Sequence, residues 1–186
     1  LDIDDHYCTD SSTLLSLIRR REVSAIVAVH LYGQMMALEQ VYREANSVGI
    51  VVIEDAAQAV GAEYNGHRVG SLGIIGCFSL HPLKTLNACG DAGMLTTHDA
   101  RLYESFKTLR NIGLGTRDDC VVWSGNSRLD TMQAAVLLTK LDHVEDWTEG
   151  RRANAAAYRE RLSGLDEVFL PVDEPHQRSV YHTFVI

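Results

Sequence analysis

The chain has 186 residues, of which 46% are hydrophobic and 23% charged, enough for one domain with a substantial core and too few for two. A formal charge of −8 excludes nucleic acid or an anionic membrane as the main partner, because both reward basic surfaces. The four cysteines, Cys8, Cys77, Cys89 and Cys120, form no CxxC pair and read as reduced thiols of a cytoplasmic protein. His6 and Cys8 lack a third and fourth ligand at useful spacing, so no metal site is expected. No apolar run approaches the roughly 20 residues of a membrane span.

In chain order, Arg19-Arg20-Arg21 suits the end of a helix, where cations meet the dipole. Residues 25 to 33, AIVAVHLYG, form a β-branched run that predicts a strand buried on both faces. Leu38, Val41, Tyr42 and Ala45 recur at helical spacing within residues 36 to 48, and Gly49 stops that helix. A second buried strand, IVVIED, spans residues 50 to 55 and completes a βαβ unit with a parallel pair. Asn65-Gly66 marks a hairpin. Further strands are expected at GIIGCFSLH (residues 73 to 81) and GMLTTH (93 to 98). Asp99 suits the N-cap of a helix over residues 100 to 111. A helical pattern runs from Leu129 to about Ser163 with a break near Asp142 to Glu145, and the tail turns strand-like around Pro171 and Pro175. The pattern predicts an α/β fold with a mostly parallel sheet, a helical connection and the first strands of a second domain.

In such sheets ligands bind at the carboxyl ends of the strands, which directs attention to Asp55, Ser79 and Lys84. Each has a bland reading. Asp55 and Ser79 could cap turns, and Lys84 could be a solvated loop lysine. Together they describe a site for pyridoxal phosphate. Lys84 would bond to the cofactor aldehyde, Asp55 would keep the pyridine nitrogen protonated, and Ser79 would donate to the phosphate. His30 and Tyr32, near another strand end, could face the site or simply pack.

The stretch VIEDAAQAVGAEYNGHRVGSLGIIGCFSLHPLKTLNACGDAGML, with IVAVHLYGQ upstream and NSRLDTMQAAVLLTKL downstream, resembles the DegT/DnrJ/StrS-like sugar aminotransferases. These belong to the fold-type I pyridoxal phosphate enzymes, and the resemblance covers essentially the whole chain. It implies the three-layer, mostly parallel sheet of that large domain, truncated at both ends. Residues 1–141 would belong to the cofactor-binding domain, 142–164 to a connecting helix and 165–186 to the start of a small C-terminal domain. It further implies Lys84 as the cofactor-linked lysine, Asp55 as the pyridine-nitrogen partner and Gln58 as the residue against the ring. Ser79 would be the phosphate ligand, and Asn126 would reach the phosphate in the partner of a homodimer with a shared active site. His81, Tyr32 and Arg128 are candidate substrate-lining residues; Arg128 could equally form an ion pair with Asp130 or another neighbour.

The implied reaction moves an amino group from glutamate or glutamine to a nucleotide-linked keto sugar, and GDAG (residues 90 to 93) resembles members that aminate sugar C3. Two positions depart from the pattern: Thr85 stands where Asn is frequent, and Ala92 where Gly is. The alternatives are a sugar dehydratase of the same family, whose members carry His in place of Lys84, and a non-catalytic regulatory relative. The family's N-terminal segment and most of its C-terminal domain would lie outside these residues, so the chain alone is expected to be inactive.

Overall fold

The computed structural model describes residues 1–4 and 7–186. Helix α1 (Ser11–Arg19) starts at Asp10, whose carboxylate accepts hydrogen bonds from Ser12 N at 3.0 Å and Thr13 N at 3.2 Å. These satisfy two of the amides that a helix start leaves without partners. Strand β1 (Ala25–Val29), helix α2 (Glu39–Ser47) and strand β2 (Val51–Asp55) follow, with β1 and β2 parallel as the sequence predicts. The predicted strand over 25 to 33 ends at Val29. Tyr32 (φ 59°) and Gly33 (φ 97°) instead turn the chain through a short 3-10 segment, Leu31–Gly33.

A two-residue turn at Asn65 and Gly66, both at positive φ, joins β3 (Glu63–Tyr64) to β4 (His67–Arg68). That conformation matches the right-handed twist of paired strands, which is why Asn-Gly signals a hairpin. Strand β5 (Ile75–Ser79) pairs parallel with β2, and β6 (Gly93–Thr96) closes the sheet antiparallel to β5, giving the order β1-β2-β5-β6. Helix α3 (Ala100–Arg110) is capped by Asp99, as expected. The long helical pattern divides at Asp142 and His143 into α4 (Thr131–Leu141) and α5 (Val144–Leu162).

Strand alternation gives the sheet two unlike faces. Ile26, Ala28 and Val52 point toward α1 and α2 and pack with Leu14, Leu15, Ile18, Val41 and Ala45. The opposite face leaves Val27, at 62% exposure, with Val29, Val51 and Leu95 open.

The tail does not become the extended strands expected around Pro171 and Pro175. Its only strand, β7 (Gln177–Arg178), pairs with β3. Arginines of α5 take up much of the hydrogen bonding of this segment instead. Arg151 Nε donates to Val180 O at 3.0 Å, Arg152 to Ser179 O at 2.8 Å and to Asp173 at 2.9 Å, and Arg159 to Pro171 O at 3.2 Å and the Tyr181 hydroxyl at 2.7 Å. The strap so formed lies against the 31–33 turn, where Val180 N donates to Gly33 O at 2.8 Å. A Cβ at Gly33 would stand 2.7 Å from His182 N, so the close approach and the positive φ both require glycine.

Glu54 lies at the centre of this arrangement with no solvent exposure. Its carboxylate accepts from His30 Nε2 at 2.9 Å, Gly70 N at 2.8 Å, Leu72 N at 2.8 Å and Gly73 N at 2.5 Å. Met36 N donates to His30 Nδ1 at 3.0 Å, so the ring proton resides on Nε2 and points at Glu54. His30 therefore belongs to the core, on the sheet face opposite Asp55. Burial alone would raise the Glu54 pKa, but the His30 bond and the backbone amides outweigh it and hold the carboxyl below its ordinary value.

Glu54→Gln turns an amide NH2 toward at least one of these donors and should lower stability at pH 7 by about 3 kcal/mol. The depressed pKa contributes stability that is present above the unfolded value of about 4.3 and lost as pH falls through the folded value. The gap between wild type and variant in urea unfolding should therefore narrow as pH falls below about 4.

Candidate functional site

Asp55 and Ser79 end neighbouring parallel strands. Asp55 pairs in register with Cys77, and Ser79 lies two residues further along β5, so both reach the same carboxyl edge of the sheet. Ala57 N donates to Asp55 Oδ1 at 3.0 Å, which leaves Oδ2 available. The turn-capping role of Asp55 is thus real and compatible with a ligand role. Burial first, and then the neighbouring Asp55 carboxylate, push the Cys77 thiol pKa up.

Gln58 follows the same strand end, and its Oε1 accepts from Tyr32 N at 2.7 Å. This bond ties the β1 turn to the β2 turn and leaves the Gln58 NH2 free to donate. The Tyr32 ring meets Tyr7 edge-on at 5.5 Å and lines a narrow cleft with Gln34, Pro171, Val172 and Thr183.

The loop after β5 carries the remaining candidates. Leu80 N and Ala92 O pair at 2.9 Å, and Ala88 N and Leu80 O at 2.8 Å, which closes the loop base. Lys84 N donates to His81 O at 2.9 Å, and Asn87 Nδ2 donates to Lys84 O at 2.8 Å. The backbone of Lys84 is therefore fixed on both sides while its half-buried side chain stays without a carboxylate partner among the described residues. His81 is exposed and accepts from Leu83 N through Nδ1 at 3.2 Å, an ordinary turn bond. Ser79 Oγ has a long contact of 3.4 Å from His81 N, so its hydroxyl proton is uncommitted. Thr85 Oγ1, one residue after Lys84, is buried without a hydrogen-bond partner among the described residues.

Asn126 and Arg128 lie apart from this edge, on an exposed loop before α4. Asn126 Oδ1 accepts from Arg128 N at 3.2 Å and Nε at 3.3 Å, and Arg128 also donates to Asn111 Oδ1 at 3.0 Å. Arg128 does not pair with Asp130, whose carboxylate caps α4 by accepting from Met132 N. Exposed apolar side chains surround the loop: Val121, Trp123 at 97% exposure and Met132 at 78%.

One candidate residue escapes sequence reasoning. His182, on the tail strap, is half-buried beside Gly33, and Thr183 N donates to Tyr32 O at 3.3 Å. Burial lowers its imidazole pKa, and the positive charges of Lys84 and Arg151 lower it further. No local pattern marks it; only the packing of the strap against the 31–33 turn does.

A half-buried amine, a strand-end carboxylate with a free oxygen, an uncommitted hydroxyl and a free amide NH2 at one sheet edge fit an aldehyde, a protonated ring nitrogen, a phosphate and a ring oxygen. That is the donor set pyridoxal phosphate requires, and next to Lys84 in the chain the buried Thr85 hydroxyl has no partner among the described residues. Of the His6 and Cys8 pair, His6 lies outside the described residues, and burial followed by the charges of Asp4 and Glu174 pushes the Cys8 thiol up to about 12.

No helix among the described residues is long and apolar enough to cross a membrane. Comparison with known proteins places the site in context. A Geobacillus stearothermophilus protein named a pleiotropic regulatory protein is 44% identical over 167 residues, covering 89% of this chain and 45% of its own. The UDP-N-acetyl-3-dehydro-alpha-D-glucosamine 3-aminotransferase of Acidithiobacillus ferrooxidans is 40% identical over 186 residues, covering all of this chain and 50% of its own. The solved structure of DesV from S. venezuelae superposes with a TM-score of 0.90 at 39% identity, over 97% of this chain and 48% of that one. The chain spans about half the length of the curated relatives it matches. All of residues 1–186 match the DegT/DnrJ/EryC1/StrS aminotransferase family, and the chain belongs to that family.

Proposed function

We propose that the protein containing this chain is a pyridoxal phosphate-dependent aminotransferase that moves an amino group from glutamate or glutamine to a nucleotide-linked keto sugar. The observation that carries the reading is the convergence of Asp55 and Ser79 at neighbouring strand ends with Lys84 in the loop that follows. Bound pyridoxal phosphate would supply an electrophilic aldehyde carbon and a protonated ring that draws electrons from the reacting carbon. Asp55 Oδ2 would accept a hydrogen bond from the protonated ring nitrogen, the Ser79 hydroxyl would donate to the phosphate, and the Gln58 amide NH2 would donate to the ring oxygen. Lys84 Nζ is the group that would hold the cofactor covalently. As a free amine, Lys84 Nζ would act as the acid-base group, taking a proton from the donor α-carbon and supplying one to the sugar carbon that gains nitrogen. The name of the A. ferrooxidans relative and the GDAG motif together favour C3 of the sugar.

The active protein is a homodimer in this reading, located in the cytoplasm. Asn126 makes its hydrogen bonds within its own loop, and the apolar rim of Val121, Trp123 and Met132 suits a second copy. Asn126 would then reach the phosphate of the partner subunit. The division into a cofactor domain over 1–141, a connecting helix over 142–164 and a small domain from 165 is part of the same proposal. Residues 1–186 alone should be inactive, since the face bearing Val27 and Val29 lacks a covering layer.

A regulatory role is the second reading, favoured by the name of the G. stearothermophilus relative. The retention of Asp55, Gln58, Ser79 and Lys84 argues against lost chemistry. A dehydratase is disfavoured by Lys84 itself.

In the full-length protein, Lys84→Ala should abolish both turnover and the absorbance of covalently held cofactor; a variant that keeps both would refute the reading. Product analysis with a panel of nucleotide keto sugars should yield the C3-amino sugar. Neither Lys84→Ala nor Asn126→Ala homodimers should show wild-type activity, whereas random pairing of the two subunits restores one intact shared site per hybrid, about one quarter of wild-type activity. Removing the Lys84 charge should also raise the His182 pKa, as read from the imidazole resonance in cofactor-free Lys84→Met protein.

A further inference from the structure

Helix α4 grips the loop that carries Lys84. Gln133, Leu137 and Lys140, spaced i, i+4 and i+7, share one face of that helix. Leu137 packs with Leu80, Leu86, Ala88 and Val144. Gln133 Oε1 accepts from Cys89 N at 2.7 Å. Lys140 Nζ donates twice to one residue, to Asn87 Oδ1 at 2.6 Å and to Asn87 O at 2.9 Å. Asn87 in turn donates through Nδ2 to the Lys84 carbonyl at 2.8 Å.

This chain has a direction. An ammonium group has donors only, so it selects the Asn87 amide oxygen and turns the NH2 of the same amide toward Lys84 O. Bonds from a cation to an amide oxygen are shorter and stronger than neutral ones, so the orientation is held rather than merely permitted. Lys140 has no carboxylate partner among the described residues, and Asn87 is the group it bonds. Without it two acceptors of Asn87 would lose their donor, and the amide could flip away from Lys84.

We propose that Lys140, acting through Asn87, is a positioning residue for Lys84: it fixes the backbone from which the reactive amine extends. The inference rests on Lys84 being the cofactor-linked lysine. A lysine that must reach first the cofactor and then a substrate carbon needs a mobile side chain on a fixed main chain, and small displacements of a reacting group are expensive.

The test uses the full-length protein loaded with pyridoxal phosphate. Lys140→Met should lower kcat about 10-fold with KM for both substrates unchanged. It should also move the midpoint of the pH-dependent absorbance of the Lys84-linked cofactor, and Lys140→Arg should restore both. Asn87→Ala should reproduce the defect, and the double variant should be no worse than either single one. Amide hydrogen exchange over residues 84–89 should quicken in Lys140→Met whether or not cofactor is present. Unchanged exchange, unchanged kcat, or losses that add in the double variant would overturn the inference. Faster exchange in a protein that holds no cofactor on Lys84 would instead overturn the functional reading while supporting the role of Lys140 in holding the loop.

Discussion

The buried Glu54 carboxylate is the constraint on which the rest of the fold depends. It binds the end of β1 through His30 and the turn before β5 through Gly70, Leu72 and Gly73, while sitting on β2 itself. Three neighbouring strands are thereby held in one register by a single anion. A one-residue slip would place that charge on the open sheet face and turn Asp55 into the core. Because adjacent residues on a strand face opposite ways, fixing Glu54 toward the helices fixes Asp55 toward the other side. Fixing the start of β5 likewise sets where Ser79 ends.

The second organising device is a set of cations used as donors to backbone and amide oxygens. Arg151, Arg152 and Arg159 bind the tail as a strap across α5, and the strap brings His182 against Gly33 in the 31–33 turn. Lys140 does the same for the Lys84 loop through Asn87. Such groups present several donors to acceptors that irregular segments leave unpaired in the absence of a sheet ladder. The segments that carry functional groups here have little regular structure of their own. Helices α4 and α5 supply the rigidity they lack, and both lie at the carboxyl edge of the sheet, where the candidate residues converge.

Much of the fold was legible from pattern. The βαβ unit, the Asn65-Gly66 hairpin, the Asp99 cap and the break between α4 and α5 all follow from local rules, because each depends on residues within one element or turn. The strand over 25 to 33 was read too long because β-branched composition continues past the point where Tyr32 and Gly33 adopt positive φ. The strand-like tail misled for the complementary reason. Its hydrogen-bond partners are arginine side chains of α5, and no local pattern reveals a partner of that kind. Asp55, Ser79 and Lys84 stood out because strand ends can be located in a parallel sheet and residue types carry chemistry. His182 and Lys140 did not, since each acts on a segment distant in the chain.

By itself, the sequence determined the α/β class, the order of most elements, the family and the chemical groups offered at the strand ends. Those properties reside in period, residue type and motif, which short-range interactions suffice to express. Only the tertiary structure decided that His30 serves the core through Glu54, that His182 lies against the 31–33 turn, and that α4 holds the loop bearing the lysine. These depend on long-range hydrogen bonds to a buried carboxylate and to backbone carbonyls, whose partners are set by how the elements pack rather than by their spacing in the chain.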